Sequence, residues 1–362
     1  MSGEQAKPVK KKPSVALALG SGGARGYAHI GAIEVLEERG YHIKAISGCS
    51  MGAVVGGMYA AGKLQEYKDW VTGLGQFDVL KLLDVTFSSV GAIRGEKVFS
   101  VVRDILGNLR IEDLPLAYTA VATDLLAHKE IWFQEGPLDR AIRASIAIPG
   151  IVTPMIMGNR VLVDGALLNP LPIIPTISAH ADMVVAVNLA GEDEEMRRLP
   201  DAVFQEESDA PGDVEELVET LKARASHWFD WDTIKSLATR KPDNGDTPEE
   251  KISREVAKKA REKEKLSAGN PPADDHETID WDKLGIGKFD AMNLAIETMQ
   301  SSLVQYKIAG YPPDLLVNMP KNVCRSYDYH KAPELIQMGR ERMSAALDRY
   351  EGKQAGNATL SR

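Results

Sequence analysis

Short apolar runs alternate with helical patterns along the first part of the chain. Residues 15–19 form an apolar run that ends in a glycine cluster, which is typical of a buried parallel strand. Residues 27–39 then carry apolar side chains at helical spacing, and Gly40 follows as a stop signal. The segments 43–47 and 51–61 repeat the strand and the helix. This order predicts a parallel sheet covered by helices.

The rest of the chain continues this alternation around a charged stretch. We predict helices at 95–106, 137–145, 172–180, about 285–309 and 331–349, and strands at 117–124, 128–134, 161–163, 183–189 and 314–318. Residues 191–285 are rich in Glu, Asp, Lys and Pro, and we interpret them as an insertion that is partly helical or disordered. The chain thus divides into a disordered basic lead-in (1–13), a domain that contains the insertion (14–350) and a flexible tail (351–362).

The composition narrows the class of protein. The chain has 362 residues, is 44% hydrophobic and carries a net charge of −9, so a nucleic-acid partner is disfavoured. Two cysteines, with no Cys/His cluster, predict a reducing, cytoplasmic location, no disulfide framework and no metal. No apolar run approaches the roughly 20 residues that span a bilayer. We therefore expect any lipid contact to be peripheral, at the inner face of the membrane. The sequence does not decide whether the protein forms a homo-oligomer.

A glycine-flanked serine follows the second predicted strand. The segment Gly48-Cys49-Ser50-Met51-Gly52 matches the G-x-S-x-G turn, in which a tight strand-to-helix junction exposes a nucleophilic serine. Helix 51–61 would direct its amino end at the reaction centre. The alternative is a turn whose serine only caps the helix. We expect Cys49 to serve packing.

A glycine loop, Gly20–Gly26, follows the first predicted strand. A dinucleotide site is disfavoured because the loop fits G-x-G-x-x-G in neither register and no acidic residue ends the second strand. The N–H groups of Gly22 and Gly23 are instead suited to an oxyanion hole, with positive potential from Arg25. The alternative for Arg25 is an ordinary surface ion pair.

The residues alone leave two kinds of base open for Ser50. A Ser-His-Asp triad would draw on one of seven histidines, His29, His42, His128, His180, His227, His276 and His330, of which His330 is the best placed. Asp164 follows strand 161–163 and precedes Gly165-Ala166, and burial would raise the pKa of its carboxyl group enough for direct proton transfer. A plain Asp-Gly turn is the alternative for Asp164.

Together these segments resemble the patatin-like phospholipase family, in particular its bacterial branch, which is similar to the catalytic domain of neuropathy target esterase. The matching pieces are Gly20–Gly26, Gly48–Gly52, Ala144-Ser145-Ile146-Ala147-Ile148-Pro149 and Asp164-Gly165-Ala166. They occur in the family's order, and the resemblance covers about 14–190 strongly and about 285–348 more weakly. Ser21 and Ala166 depart from it, since both replace commoner glycines.

The resemblance implies a three-layer α/β/α fold with a mostly parallel central sheet. It also implies a Ser50–Asp164 dyad without histidine, an oxyanion hole at Gly22 and Gly23 assisted by Arg25, and no metal or other cofactor. The implied activity is hydrolysis of fatty-acyl esters in phospholipids or lysophospholipids.

Two rival functions and two lipid contacts stay open. The rivals are a catalytically silent patatin-like module that binds a regulatory partner, and a Ser-His-Asp carboxylesterase. Met51, Ile148, Pro149 and Ile151 are candidates for an acyl groove, or they are plain core. The apolar island Trp228–Trp231 and the lysines at 10–12 are candidates for contact with a lipid surface, or they serve packing and solvation.

Overall fold

The computed structural model describes residues 12–82, 96–149, 151–191, 288–321, 323–324, 326 and 328–360. Nearly all of them belong to the first of two units of the chain, which comprises 1–198 and 292–362. The predicted insertion, with the Trp228–Trp231 island, and most of the predicted lead-in lie outside the described residues. At the lead-in's end, Lys12 pairs with Glu351 at 2.6 Å.

The described strands form one eight-stranded sheet of order β5-β6-β3-β2-β1-β7-β8, with β4 paired to β3. Their bounds are β1 Ser14–Leu19, β2 His42–Cys49, β3 Ala117–Asp124, β4 Lys129–Phe133, β5 Met155–Met157, β6 Arg160–Asp164, β7 Met183–Gly191 and β8 Leu315–Pro320. From β3 through β2, β1 and β7 to β8 all pairs are parallel. Only β4, β5 and β6 pair antiparallel. The prediction of a mostly parallel sheet is confirmed.

Helices cover both faces of this sheet. They are α1 Ala28–Glu38, α2 Met51–Ala60, α3 Leu64–Thr72, α4 Gln76–Leu82, α5 Glu96–Leu106, α6 Leu138–Ser145, α7 Lys288–Gly310 and α8 Ala332–Leu360. Because side chains alternate along a strand, Leu17 and Leu19 of β1 pack with α1, α2 and α8, whereas Ala18 packs with Val304 of α7. The molecule thus has the three-layer α/β/α architecture. In the described part of the chain, no helix is long and apolar enough to cross a membrane.

Two strands of opposite direction share one edge of β3. β2 pairs with β3 up to Cys49, opposite Val121. β6 pairs with it from Leu162 to Asp164, and Asp164 lies opposite Ala122. Since β4 occupies the other edge over the same stretch, β2 and β6 must lie on the same side of β3. The carboxyl ends of β2 and β6 therefore meet head to head.

Three features differ from the sequence-based expectations. Segment 172–180 forms a 3-10 helix at Ile174–Ala179, because Pro172 and Pro175 remove the N–H donors of a regular α-helix. Helix α8 continues through Leu360, beyond the predicted end at 349. The elements α3, α4 and β5 were not predicted. Helix α3 buries only Tyr67 and Val71, which leaves a weak apolar period, and β5 has three residues.

Helices α1 and α8 pack backbone to backbone through two glycines. A Cβ atom added at Gly31 would overlap the carbonyl oxygen of Ile336, and one added at Gly339 would overlap that of Ala28. This contact fixes α8 against the helix that follows the glycine loop.

We predict that Gly31→Ala lowers the free energy of unfolding by at least about 2 kcal/mol, because the helices must separate to admit the methyl group. Urea denaturation measures this change. The matched control is Gly352→Ala in α8, where nothing lies within 4 Å, and there we expect no loss and a gain of up to about 1 kcal/mol. Equal effects at both sites would contradict the packing.

Candidate active site

Ser50 lies in a strained turn between β2 and α2. Its φ of 54° and ψ of −124° place a non-glycine residue in a region that side chains rarely adopt, and the residue is only 3% exposed. A Cβ atom at Gly48 would overlap the carbonyl oxygen of Gly52, and one at Gly52 would overlap that of Leu19. Both flanking glycines are therefore needed for backbone contact, as the G-x-S-x-G turn requires.

A buried serine from α6 holds this turn in place. The hydroxyl of Ser145 accepts a hydrogen bond from the Ser50 N–H at 2.9 Å and donates one to the Val121 carbonyl at 2.6 Å. Ser145 is fully buried, so both bonds are shielded from water. Segment 144–149 matches the family pattern, but its sequence alone indicates no role for Ser145. The available signal was a hydroxyl group in an otherwise apolar segment.

Asp164 ends β6, close to Ser50. Its Oδ1 accepts a hydrogen bond from the Ala166 N–H at 2.8 Å, and the Ser50 side chain is close enough to favour the charged form of the carboxyl group. Burial raises the pKa of this carboxyl group to about 6, although its hydrogen bonds lower it. The group is thus a stronger base than an exposed aspartate and is still mostly ionised at neutral pH.

Cys49 contributes more than the packing role expected of it. Its Sγ lies 3.7 Å from Asp164 Oδ1, the same oxygen that accepts from Ala166. Burial and the charge of Asp164 raise the pKa of the thiol well above its ordinary value. Cys49 therefore stays protonated and donates a weak hydrogen bond to the carboxylate.

The residues after Asp164 differ in their need for glycine. A Cβ atom at Gly165 would overlap the Val121 carbonyl oxygen and lie 3.0 Å from the Cys49 Sγ, so this position requires glycine. Ala166, the departure from the family pattern, has a side chain that is 2% exposed and packs in the interior. The substitution therefore fits the site.

The glycine loop leaves two backbone donors near the nucleophile. The N–H groups of Gly20, Ser21 and Ala24 donate to carbonyls of neighbouring segments at 2.8–3.0 Å. In the described part of the chain, nothing accepts from the N–H groups of Gly22 and Gly23. These two groups are thus available for an oxyanion.

Close packing explains the other positions of this loop. A Cβ atom at Gly22 would come within 2.7 Å of Leu189, and one at Gly26 would overlap Met51, the residue after the nucleophile. Gly23 has a φ of +55°, which favours glycine. Ser21, the other departure from the family pattern, lies outside the left-handed region, so serine is tolerated there.

Arg25 supports the loop in a way that the sequence did not indicate. Its buried guanidinium donates from Nε to the Gly22 carbonyl at 3.1 Å and from an Nη to the Lys321 carbonyl at 2.9 Å. Glu297 lies 3.8 Å away. Because the Gly22 carbonyl and the Gly23 N–H are on opposite sides of one planar peptide, this bond turns the Gly23 N–H away from Arg25. Arg25 thus orients a backbone donor, and it is not an ordinary surface ion pair.

The described histidines make no hydrogen bond to Ser50 or Asp164. His29 is fully buried, its Nε2 bonds the Gly20 carbonyl at 2.8 Å, and burial lowers its pKa to about 4. His330 lies in a 3-10 turn at Tyr329–Lys331. Within the described ranges no histidine hydrogen bonds to Ser50 or Asp164. The same ranges contain no group of His, Cys, Asp and Glu side chains that could hold a metal ion. His227 and His276 lie outside the described residues.

Comparison with known proteins agrees with this geometry. The model of the patatin-like phospholipase family matches residues 17–177. An uncharacterized NTE family protein of Mycobacterium tuberculosis (strain H37Rv) is 46% identical over 343 residues, which cover 94% of this chain and 92% of that protein. This chain belongs to the NTE family of patatin-like phospholipases.

Two animal proteins share part of this NTE family domain. Neuropathy target esterase sws of Drosophila melanogaster is 29% identical over 188 residues, covering 50% of this chain and 13% of that protein. Patatin-like phospholipase domain-containing protein 6 of Mus musculus is 32% identical over 189 residues, covering 50% and 14%. The likeness to these proteins is therefore confined to half of this chain.

We predict that Asp164→Asn stabilises this NTE family protein at neutral and alkaline pH. Because burial raises the folded-state pKa above its ordinary value near 4, the stability that the protonated carboxyl group contributes is lost as the pH rises through about 6. The variant should therefore exceed the wild type in unfolding free energy by about 2–3 kcal/mol near pH 8, and this gain should shrink as the pH falls toward about 4.

Urea denaturation across this pH range measures the difference. Asp113→Asn, at an exposed aspartate, is the matched control and should change little. A variant that is no more stable than the wild type near pH 8 would show that burial of the Asp164 charge does not weaken the fold.

Proposed function

We propose that this protein is a serine acyl hydrolase that cleaves fatty-acyl esters of phospholipids or lysophospholipids through a Ser50–Asp164 dyad. The observation that carries the proposal is the junction of β2 and β6. At this junction Ser50 follows the end of β2 and Asp164 forms the end of β6, and burial raises the pKa of the Asp164 carboxyl group.

In the first half-reaction Ser50 becomes acylated. Asp164 accepts the proton of the Ser50 hydroxyl as its Oγ attacks the ester carbonyl carbon. The negative charge on the tetrahedral intermediate is stabilised by the N–H groups of Gly22 and Gly23, together with the amino end of α2. The intermediate then collapses, and the leaving alcohol takes the proton from Asp164.

In the second half-reaction water releases the fatty acid. Asp164 accepts a proton from a water molecule, whose oxygen attacks the acyl carbon on Ser50. The same N–H groups stabilise the second oxyanion, and the proton on Asp164 returns to Ser50 as the acid leaves. The dyad ends the cycle unchanged, and neither step requires a metal.

Apolar surroundings support a fatty-acyl substrate. The segment that contains the half-buried residues Ile148, Pro149 and Ile151 runs beside the dyad, since the Asp164 N–H bonds the Ala147 carbonyl at 2.9 Å. Tyr329 adds an aromatic side chain near the carboxylate, and burial together with the charge of Asp164 raises the pKa of its hydroxyl group to about 12. Membership in a family of patatin-like phospholipases supports the same substrate class.

We predict that Ser50→Ala and Asp164→Asn each lower kcat by at least roughly 10³-fold, since each removes a reacting group. The measurement is hydrolysis of p-nitrophenyl esters, phospholipids and lysophospholipids. Ser100→Ala and Asp113→Asn, at exposed positions, are matched controls and should keep wild-type rates.

The outcomes separate the rival functions. Wild-type turnover that survives Asp164→Asn but is lost in His330→Ala would favour the Ser-His-Asp carboxylesterase. Wild-type protein that hydrolyses none of these esters would favour the silent binding module.

A further inference from the structure

Two hairpins extend beyond the sheet next to the candidate dyad. The turn after β3 carries Leu125 and Leu126, which are 40% and 67% exposed, and the β5–β6 hairpin carries Ile156, which is 75% exposed. The Leu125 N–H bonds the carbonyl of Val161 at 2.9 Å, and Ile156 pairs with the same Val161. The three exposed side chains therefore belong to one patch, the hairpin surface (Leu125, Leu126 and Ile156).

The backbone of this surface is built to hold its shape. Oδ1 of the buried Asp124 accepts hydrogen bonds from the Leu126 N–H at 3.1 Å and from the Ala127 N–H at 3.2 Å. The leucines thus lie on a capped turn. A capped turn that presents large aliphatic side chains to water indicates a surface that meets an apolar partner.

The hairpin surface lies on the substrate side of the sheet. Asp164 pairs with Ala122, and Leu125 comes three residues after Ala122, directly beyond the end of β3. At the rise of a β-strand, this places the surface roughly 10 Å beyond the candidate dyad.

Basic side chains flank the aliphatic ones. Lys129 and Arg160 are exposed at the same end of the two hairpins, where Lys129 pairs with Asp124 and Arg160 lies 3.8 Å from the Asp124 carboxylate. The next acid, Glu130, is paired with Lys307 at 2.6 Å. The surface is thus locally basic, although the whole chain carries a net charge of −9.

We propose that the hairpin surface docks on the anionic face of a phospholipid bilayer. Leu126 and Ile156 enter the boundary between headgroups and acyl chains, and Lys129 and Arg160 contact lipid phosphates. This inference rests on the proposed function, because docking would bring acyl esters to the sheet edge that carries Ser50.

The size and character of the surface favour a bilayer over another protein chain. Three aliphatic side chains offer far less than the roughly 800 Å² per partner of a stable protein interface. Aliphatic tips with adjacent bases suit a lipid surface, where each inserted side chain and each base adds affinity.

The test is co-sedimentation of the full chain with vesicles of phosphatidylcholine, with and without phosphatidylglycerol. We expect the wild type to bind the anionic vesicles, and Leu126→Asp combined with Ile156→Asp to bind them at least about tenfold more weakly. Lys129→Gln should lower the affinity for anionic vesicles about fivefold and leave the affinity for neutral vesicles unchanged. Leu126→Ser with Ile156→Ser is a second, milder pair that guards against misfolding.

The matched control is Ile177→Asp. Ile177 is 48% exposed and belongs to the 3-10 helix that lines a cavity with Ala45 and Ala117, near the starts of β2 and β3. This variant should bind anionic vesicles as the wild type does.

A second readout separates this inference from the proposed function. The Leu126/Ile156 variants should hydrolyse a soluble p-nitrophenyl ester at the wild-type rate but should lose hydrolysis of vesicle phospholipid. Vesicle binding that depends on Leu126 and Ile156 in a protein without esterase activity would support the docking surface and overturn only the proposed function.

Two results would overturn the docking proposal. One is equal vesicle binding by the wild type and the double variants. The other is a wild type that does not bind vesicles but forms dimers, with dimer formation lost in Leu126→Asp. That result would assign the surface to contact with a second copy of the chain.

Discussion

The candidate site depends on one feature of strand pairing, the meeting of the carboxyl ends of β2 and β6 along a single edge of β3. β2 stops opposite Val121 and β6 stops opposite Ala122, so the residues at the two ends must lie against each other. Ser50 follows one end and Asp164 forms the other. A parallel β6 would carry its carboxyl end away from this junction, so the antiparallel direction of one strand is what brings Ser50 and Asp164 together.

The junction is achieved at a cost in stability. Ser50 adopts a positive φ, and Asp164 keeps a carboxylate away from water, so each residue opposes folding. The surroundings offset these costs with bonds that fix geometry. Ser145 ties the turn to β3, and Ala166 and Cys49 hold one oxygen of the carboxylate. Arg25 does the same for the glycine loop by holding the Gly22 carbonyl.

Most of the sheet, and the turns that carry Ser50 and Asp164, could be predicted from the sequence, because buried strands and glycine turns leave local signals. The run at 15–19 and the turn at Gly48–Gly52 are of this kind. The direction of β6 left no such signal, because the apolar pattern of a five-residue strand does not indicate whether it pairs parallel or antiparallel. Hydrogen bonds between distant segments could not be predicted either. Ser145 bonds Ser50, 95 positions away in the sequence, and Arg25 bonds Lys321, 296 positions away. The role of the Cys49 thiol depends on the same long-range meeting.

The central claim is that Ser50 is a nucleophile activated by Asp164, and the most direct test is the rate of modification by a fluorophosphonate probe as a function of pH. The adduct site would be located by peptide mass spectrometry. The account predicts one adduct, on Ser50, which forms faster as the pH rises through about 6, where Asp164 ionises, and which is nearly lost in Asp164→Asn. An adduct on another residue, or labelling of Ser50 at the same rate in Asp164→Asn, would contradict it.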